Sequence, residues 1–534
     1  MAALPSVAAI VNGANLDPKN IPQVETLFEQ FTNLSPTERD NERGSFVEKV
    51  FPLFFGENAV VDGSSAYEAQ RQVAWYGRQS RSCTYVNIPW PYICHRRSTA
   101  CWLRPRVVVL PGSAQQVGTT VSLCRFFGIK FSIRGGGHSP SIGWSSNDGG
   151  VVISLAAFDQ VNLSEDKLTA DIGVGLRWLD VYKALDQYDL AVAGGRFPTV
   201  GVSGLLLGGG LSFRHGVDGI GAMGVSNYEV VLANAEIVNA NAKENSDLFW
   251  ALKGAGGNFG IVTKIEMKTV PAKVWSEAKL YAPSVTSELL QALMKHHEAI
   301  ESDEKSSLLL TCNNPGTALV SLYCDAVNKL PVVFEPFEHI PATSQSLPRG
   351  VYSTYELLGV IETLAVPGHV CHDFRTMSSQ PSLEVYETAE RVRMEQGNLL
   401  SDVEGLRISN VIQPMSSISI KQSRKVGRNP LGLEEVGQQW LLAMADWNNP
   451  ADGDRVRQAM RHVVDATEAT AKANGTYLPS QYCNYASLDQ DPLASYGAEN
   501  LERLRAIASK YDPDGVFQTL QSGGWLLSRV GPTE

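Results

Sequence analysis

The stretch that most limits the folds open to this chain is a β-type run that breaks into three glycines and a histidine. It covers residues 131–139 and reads F-S-I-R-G-G-G-H-S. Glycines in such a turn let backbone N–H groups approach a ligand closely, and successive N–H groups form a nest for an anion. The loop therefore suits a pyrophosphate. It is not the dinucleotide fingerprint of a doubly wound fold, because no G-x-G-x-x-G opens a helix here. Taken alone, the run also fits a solvated turn.

Two further glycine-rich segments lie downstream, each beside an apolar run. Residues 194–204 read G-G-R-F-P-T-V-G-V-S-G and lead into L-L-L-G-G-G at 205–210. Residues 254–260 read G-A-G-G-N-F-G and lead into Ile261-Val262-Thr263. Three such segments in one chain indicate that they surround one long ligand.

The ordered motifs resemble those of the FAD-linked oxidases of the vanillyl-alcohol oxidase superfamily, in the berberine-bridge-enzyme-like branch, and most closely its fungal members. The resemblance rests on residues 134–139, 194–210, 227–233 (N-Y-E-V-V-L-A) and 247–263 (D-L-F-W-A-L-K-G-A-G-G-N-F-G-I-V-T). Near the C-terminus, residues 482–485 (Y-C-N-Y) and 511–517 (Y-D-P-D-G-V-F) complete the pattern.

The resemblance implies an α+β fold with a discontinuous, two-subdomain FAD-binding domain of the PCMH type and a substrate domain in which helices cover an antiparallel sheet. The expected boundaries are a helical cover over 1–100, the FAD-binding domain over 101–270, the substrate domain over 271–479 and a returning segment over 480–534. The residues agree, since short apolar and helical segments alternate after Val107, whereas glycine becomes rare after Val270.

Periodicity predicts the individual elements. In the first half, strands are expected over 107–110, 130–134, 151–155, 168–172, 228–237 and 261–267, with helices over 113–127, 176–185 and 246–252. In the second half, strands are expected over 308–310, 318–323, 406–412, 417–421 and 440–447, with helices over 288–300 and 454–473.

Length and charge narrow the class of protein. A chain of 534 residues is too long for one hydrophobic core, so at least two domains are expected. The net charge of −11 argues against a nucleic-acid partner, and no apolar run is long enough to cross a membrane. Because residues 1–11 lack a basic region and a long apolar region, a cytoplasmic enzyme is expected, with secretion left open. The expected state is a monomer or a homodimer.

The resemblance assigns FAD as the cofactor and places its binding residues in the glycine-rich and C-terminal motifs. These residues are Arg134, Gly135, Gly136, Gly137, His138, Ser139, Gly143, Pro198, Thr199, Val200, Gly201, Gly204, Gly208, Gly260, Ile261, Val262, Tyr482, Asn484 and Tyr485.

In relatives, the histidine at the position of His138 is bonded to the 8α-methyl carbon of the flavin, which requires a neutral imidazole as nucleophile. A second, cysteinyl link is common where this chain has Phe197, so a single link is expected. The alternative is noncovalent FAD beside a loop histidine.

Tyr485 is the candidate catalytic residue, because the second tyrosine of this motif lies over the flavin in several relatives and takes a substrate proton. The alternative is a packing tyrosine whose hydroxyl only holds the cofactor. Tyr482 and Asn484 are expected to position the ring system.

Other titratable groups favour less specific interpretations. Residues 369–373 (H-V-C-H-D) have metal-ligand types but no matching second pair, so no metal is expected; they read as a loop whose histidines could line the pocket as bases. His296 and His297 are expected on a solvated helix face, and Trp144 and Trp178 as core or loop anchors.

The cysteines leave one question open. Cys83, Cys94 and Cys101 either include a disulfide or remain reduced. The strand register predicted around the turn at 313–316 argues against a bridge between Cys312 and Cys324.

Two functions compete. The first is an FAD-dependent oxidase that removes a hydride from a small secondary metabolite and passes electrons to dioxygen, with oxidation of an alcohol, dehydrogenation of a ring or oxidative cyclisation as the outcome. The second is a non-redox isomerase or pericyclase with a structural or absent flavin. A pure binding module has little support, since it would not need the flavin motifs.

Overall fold

Three β-sheets organise the part of the chain that the computed structural model describes, which is residues 6–14, 16–64, 66–72, 101–314, 316–364, 371–425 and 427–531. Two of them are built from residues before 272, and the third from residues after it.

The first sheet combines four short strands with the N-terminal helices. In chain order the elements are α1 (Val7–Gly13), α2 (Ile21–Asn33), α3 (Pro36–Phe55), β1 (Ala59–Val61), α4 (Tyr67–Gln72), β2 (Val107–Val109), α5 (Ala114–Phe127), β3 (Phe131–Arg134) and β4 (Val151–Ser154). The strand order is β1-β2-β4-β3, and only the β1–β2 pair is antiparallel. The strands β2 and β4 are fully buried and, apart from Ser154, consist of valine and isoleucine, as expected for strands covered on both faces.

The C-terminal residues lie along the edge of this sheet. The N–H of Phe131 donates to the carbonyl of Leu520 at 2.9 Å, and the N–H of Ser522 donates to the carbonyl of Phe131 at 2.8 Å. Strand β3 therefore pairs with β4 on one side and with the last segment of the chain on the other.

The second sheet is antiparallel and centres on β10. Its elements are β5 (Val161–Leu163), β6 (Thr169–Gly173), α6 (Trp178–Asp186), β7 (Leu190–Val192), α7 (Val202–Leu207), α8 (His215–Asp218), β8 (Val225–Val231), β9 (Ile237–Asn241), α9 (Ser246–Ala251) and β10 (Ile261–Pro271). The order is β5-β6-β10-β8-β9, and β7 pairs with the far end of β10.

The single strand predicted over 228–237 is wrong, because the chain reverses there. The N–H of Ala235 donates to the carbonyl of Leu232 at 3.0 Å, and Ala235 has a φ of 68°. A tight turn therefore separates β8 from β9, which pair with each other.

The third sheet has eight antiparallel strands. Its elements are β11 (Lys273–Tyr281), α10 (Thr286–Ala299), β12 (Ser306–Cys312), β13 (Thr317–Tyr323), β14 (Ser344–Ser353), α11 (Thr354–Leu364), β15 (Cys371–Ser379), α12 (Leu383–Leu399), β16 (Arg407–Met415), α13 (Ser417–Lys425), β17 (Gln438–Trp447), α14 (Gly453–Ala473) and β18 (Tyr477–Leu478); α15 (Ala498–Tyr511) and α16 (Val516–Thr519) follow. The order is β14-β11-β13-β12-β16-β17-β15-β18.

The two faces of the third sheet meet different partners. On β17, the side chains of Leu441, Ala443 and Trp447 share a core with α10, α12 and α14. The alternate position Trp440 packs instead on Tyr482, in the core of the first two sheets. This antiparallel sheet with helices on one face confirms the predicted α+β fold class.

Three local predictions in this half are wrong. Residues 417–421 begin helix α13, where Glu301 accepts from the N–H of Ser417 at 2.9 Å. Residues 371–373 belong to strand β15 rather than a loop. His296 and His297 are buried rather than solvated. Burial is tolerated because a ring nitrogen of His296 bonds to the carbonyl of Val333 at 2.9 Å, and one of His297 bonds to the hydroxyl of Tyr386 at 2.7 Å.

The expectations for Trp178 and for the pair Cys312 and Cys324 hold. Trp178 is fully buried in the core, and Cys312 and Cys324 form no bridge with each other. His369, Cys83 and Cys94 lie outside the described residues. Within those residues, no helix is both long and apolar enough to cross a bilayer, and no three His, Cys, Asp or Glu side chains group as metal ligands.

Candidate active site

The first two glycine-rich segments touch each other through their backbones. A Cβ on Gly136 would lie 2.4 Å from Cα of Gly201, and a Cβ on Gly201 would lie 2.5 Å from the N of Gly136. A Cβ on Gly135 would lie 2.3 Å from Oγ of Ser203. Only glycine allows this approach, so the sequence pattern places the loop that carries His138 against the start of α7.

The third segment and the C-terminal motif join the same region. The N–H of Gly256 donates to the carbonyl of Leu207 at 2.9 Å. The amide of Asn484 donates to the carbonyl of Leu205 at 3.0 Å, and a Cβ on Gly208 would collide with that amide at 2.3 Å. The three glycine-rich segments and residues 482–485 therefore form one continuous surface.

His138 is half-buried in this region, and its ring meets that of Phe197 edge-on at 6.2 Å between centroids. Burial, together with the nearby charges of Arg177 and His372, lowers the pKa of His138 to about 3. The imidazole is therefore neutral at physiological pH, as a nucleophile must be.

Tyr485 lies at the centre of a polar cluster drawn from three distant parts of the chain. Its hydroxyl accepts a hydrogen bond from Nη2 of Arg196 at 3.1 Å and donates to Oε1 of Gln413 at 3.0 Å. Nη2 of Arg196 also donates to Oε1 of Gln413, and both side chains are buried. The phenol is thus held beside a buried positive charge.

Tyr482 has a supporting position. Its ring lies between those of Trp440 and Tyr485, at centroid distances of 4.7 and 4.8 Å. Burial raises the pKa of Tyr482 far above its usual value, and its hydroxyl accepts from the amide of Asn484 at 2.8 Å. This hydroxyl therefore stays protonated, and the residue fixes the position of Tyr485.

Some of the predicted cofactor residues have roles within the protein. The guanidinium of Arg134 bonds to Gln70 at 2.9 and 3.2 Å. Gly260, Ile261 and Val262 enter strand β10, where a Cβ on Gly260 would meet Val230 at 2.6 Å.

The remaining predicted positions form turns and loop contacts around the glycine surface. The hydroxyl of Ser139 accepts from the N–H of Ser141, and the carbonyl of Gly143 accepts from the hydroxyl of Ser522. The carbonyls of Pro198, Thr199 and Val200 accept hydrogen bonds from residues 177–179. Gly137 and Gly143 have φ values of 65° and 85°, and a Cβ on Gly204 would meet open space.

These residues fit FAD on the features the structure shows. The glycine-only contact between Gly136 and Gly201 brings two glycine-rich backbone segments together, and successive backbone N–H groups in such segments can form a nest for a phosphate group. The neutral ring of His138 belongs to the first of these segments, and the hydroxyl of Tyr485, with Arg196 beside it, bonds to Gln413 of the third sheet.

Sequence reasoning missed Arg196, Gln413 and Asp446, whereas it named His372 as a histidine that could line the pocket as a base. Arg196 was inside the second glycine-rich motif, where a charged residue between glycine and proline was a usable signal. Gln413 follows Arg407 and Ser409 at alternate positions of β16, so the period of two could have assigned it to a polar face. No local sequence pattern predicts the contact between Asp446 and His372.

Comparison with known proteins identifies matching families and structures. A family model described as "FAD binding domain" matches residues 105–241, and one described as "Berberine and berberine like" matches residues 481–522. An FAD-dependent monooxygenase of Arthrobotrys oligospora is 36% identical over 492 residues, which cover 90% of this chain and 89% of the relative.

Solved structures share the fold. The 6-hydroxy-D-nicotine oxidase of Arthrobacter nicotinovorans matches with a TM-score of 0.70 at 22% identity, covering 89% of this chain and 99% of that protein. The glucooligosaccharide oxidase of Acremonium strictum, which carries a 6-S-cysteinyl, 8α-N1-histidyl FAD, matches with a TM-score of 0.67 at 21% identity, covering 79% and 92%.

Proposed function

This chain belongs to the berberine-bridge-enzyme-like family of FAD-dependent oxidoreductases, and on that premise we propose that it removes a hydride from a small secondary metabolite and passes the electrons to dioxygen, forming hydrogen peroxide. Membership confirms the resemblance carried by the sequence motifs. The reaction and the acceptor are the proposal.

The observation that carries the proposal is the contact between Tyr485 and Arg196. A buried guanidinium lies 3.1 Å from the phenol oxygen, so once Tyr485 has released its own O–H proton to solvent, its oxygen can accept the proton of a substrate hydroxyl while the adjacent carbon loses its hydride. Gln413 fixes the phenol oxygen from the other side at 3.0 Å. FAD, when bound, supplies the hydride acceptor and later returns two electrons to dioxygen.

We further propose that FAD is attached through His138 alone. The neutral imidazole supports attachment at this residue, and Phe197, its edge-on neighbour, offers no sulfur for a second link. The glucooligosaccharide oxidase with both links shares the fold, so the scaffold is compatible with a histidyl bond. The residues expected to contact FAD remain those of the glycine-rich and C-terminal motifs.

The cofactor domain is proposed to be discontinuous, with residues 101–270, under the helical cover of residues 1–100, joined by residues 480–534. Support comes from the hydrogen bonds that link Phe131 to Leu520 and Ser522, and from the contact of Asn484 with Leu205. Residues 271–479 then form the substrate domain, whose sheet brings Gln413 and Trp440 to the C-terminal tyrosines.

The test separates the two half-reactions. Purified protein is reduced anaerobically with one equivalent of dithionite and mixed with aerated buffer, and one peroxide per flavin is expected. In parallel, cinnamyl alcohol, 4-hydroxybenzyl alcohol and related alcohols are screened for anaerobic bleaching of the flavin.

Three results would contradict the proposal. Conversion of an alcohol without bleaching or peroxide would indicate the isomerase or pericyclase. Labelled dioxygen appearing in the product would indicate a monooxygenase, the activity in the name of the Arthrobotrys relative. Reoxidation without peroxide would exclude an oxidase.

A further inference from the structure

Three charged or titratable side chains lie side by side on neighbouring strands of the third sheet. His372 on β15 pairs in register with Asp446 on β17, which pairs in register with Arg407 on β16. Nδ1 of His372 lies 2.5 Å from Oδ1 of Asp446, and Nη2 and Nε of Arg407 donate to Oδ2 at 2.6 and 3.0 Å. We call these residues the His372 trio.

The hydrogen bonds fix the ionisation of the carboxyl group and the tautomer of the ring. Burial alone raises the pKa of Asp446, but the hydrogen bonds and charges of His372 and Arg407 outweigh it and lower the pKa to about 2. Asp446 is therefore a carboxylate that accepts from Nδ1, so the basic lone pair of the imidazole lies on Nε2.

The trio is on the active-site side of the sheet. Arg407 and Gln413 are six positions apart on β16, so they share a face, and Gln413 on that face bonds to Tyr485. His372 is also close enough to His138 for a proton on the His372 ring to lower the pKa of His138. The ionisable groups shown close to His372 are thus Asp446, Arg407 and His138.

Apolar side chains separate the trio from the tyrosine cluster. Phe374, Val411 and Met444 occupy the same face and are half-exposed, and Phe374 and Met444 are register partners. Among the described residues, these three pack in neither of the two large hydrophobic cores. We call them the apolar floor. The His372 trio lies at one end of the apolar floor and Gln413 at the other, roughly 20 Å apart. This face therefore suits an extended ligand with an apolar middle.

We propose that the apolar floor binds the flat, mainly apolar body of the substrate and that His372, oriented by Asp446, accepts the proton of a phenol or enol hydroxyl on that body. The O–H bond breaks, its electron pair stays on oxygen, the proton goes to Nε2, and no oxidation state changes. This inference rests on the proposed function, since it places the substrate in the same site. His372 is then a specificity-determining residue, separate from Tyr485.

The experiment measures binding rather than turnover. The fluorescence of 7-hydroxycoumarin and 7-methoxycoumarin, and of 2-naphthol and 2-methoxynaphthalene, is titrated with purified holoprotein. Each pair shares one flat body and differs in the acidic proton. The hydroxyl member is expected to bind about tenfold more tightly, and the coumarin signal to show a larger phenolate fraction when bound, because a charge-assisted hydrogen bond contributes that much.

Variants assign the preference to the trio. His372→Gln and Asp446→Asn are each expected to abolish the tenfold preference, whereas Phe374→Ala weakens both members of each pair equally. His462→Gln is the matched control, because His462 is exposed on α14, away from this face.

The outcomes are distinct from those of the oxidase test. Equal binding of hydroxyl and methoxy members, failure of all four compounds to bind, or a preference that survives His372→Gln would overturn the inference, even if flavin reduction still depended on Tyr485. Loss of the preference in both trio variants would support it, whether or not peroxide is formed.

Discussion

The phenol oxygen of Tyr485 lies 3.1 Å from Nη2 of Arg196, although the two residues are 289 positions apart in the chain. The fold brings them together because Arg196 follows the glycine pair that packs on Trp178, while Tyr485 follows Tyr482 beside Trp440. A base in the proposed oxidation and the charge that supports it thus come from separate segments.

Replacing Tyr485 by Phe keeps the ring and removes only the oxygen that takes the proton. Flavin reduction measured by anaerobic stopped flow is expected to slow by about 10² to 10⁴, with the flavin spectrum nearly unchanged. Arg196→Gln is expected to slow it in the same direction. Tyr482→Phe is the control, since that hydroxyl faces Asn484. An equal loss in the control would show that packing, not proton transfer, is affected.

Replacing His138 by Ala removes the proposed attachment atom. The unmodified protein is expected to keep its yellow colour in the pellet after acid precipitation, and His138→Ala is expected to release all flavin to the supernatant. Phe197→Ala, which changes the ring beside His138 but not the nucleophile, should remain acid-stable. Free flavin released by acid from the unmodified protein would disprove covalent attachment.

Replacing Gly201 by Ala forces a methyl group into the backbone of Gly136. The overpacking is expected to lower the free energy of unfolding by about 1 to 3 kcal/mol and to reduce the FAD content of the purified protein. Gly397→Ala is the matched control, because a Cβ there meets nothing within 4 Å on helix α12. Full FAD content in Gly201→Ala, read from the ratio of flavin to protein absorbance, would contradict this account.

Ending the chain before Ser480 removes Asn484, Leu520 and Ser522 together. Because Leu520 and Ser522 bond to β3 and Asn484 bonds to Leu205, FAD incorporation is expected to be lost rather than reduced in proportion to length. The matched control ends after Arg529 and keeps all these contacts. A truncated protein that still binds one FAD per chain would show that residues 480–534 are dispensable for cofactor binding.

Buried histidines make stability depend on pH. Burial, as the largest cause, lowers the pKa of His215 and His297 to about 3 and that of His296 to about 4, below the usual value near 6.5. Below pH 6.5 these histidines bind protons in the unfolded chain but not in the folded protein, so the free energy of unfolding falls as pH falls.

Each of these groups is expected to contribute up to about 1.4 kcal/mol per pH unit between pH 6.5 and 5. Urea unfolding at pH 7, 6 and 5 measures the slope, and His297→Gln should reduce it by one proton. Identical unfolding midpoints at pH 7 and pH 5 would show that these histidines are not held neutral.

The sequence predicted the features that depend on local chemistry. Glycine segments, the buried strands β2 and β4, and helices such as α14 follow from patterns of a few residues. The wrong predictions fall at positions where tertiary contacts determine the secondary structure or the burial. Ser417 begins a helix because Glu301 caps it, and His297 is buried because Tyr386 completes its hydrogen bond.

The candidate site divides in the same way. His138 and Tyr485 were found because each belongs to a contiguous motif. Arg196 and Gln413 meet Tyr485 only after three separate segments fold together, and Asp446 meets His372 only through the register of β15 and β17. The register between two strands so far apart cannot be predicted from a single sequence.

The bonds from Phe131 to Leu520 and Ser522 also set an order for biosynthesis. Strand β3 leaves the ribosome almost 400 residues before its second edge partner, as the separation of 390 between Ser132 and Ser522 shows. Contacts so distant in sequence form late and slowly. The first sheet must wait through most of translation with one edge open, so cofactor loading is expected to be a post-translational event that marks release of the finished chain.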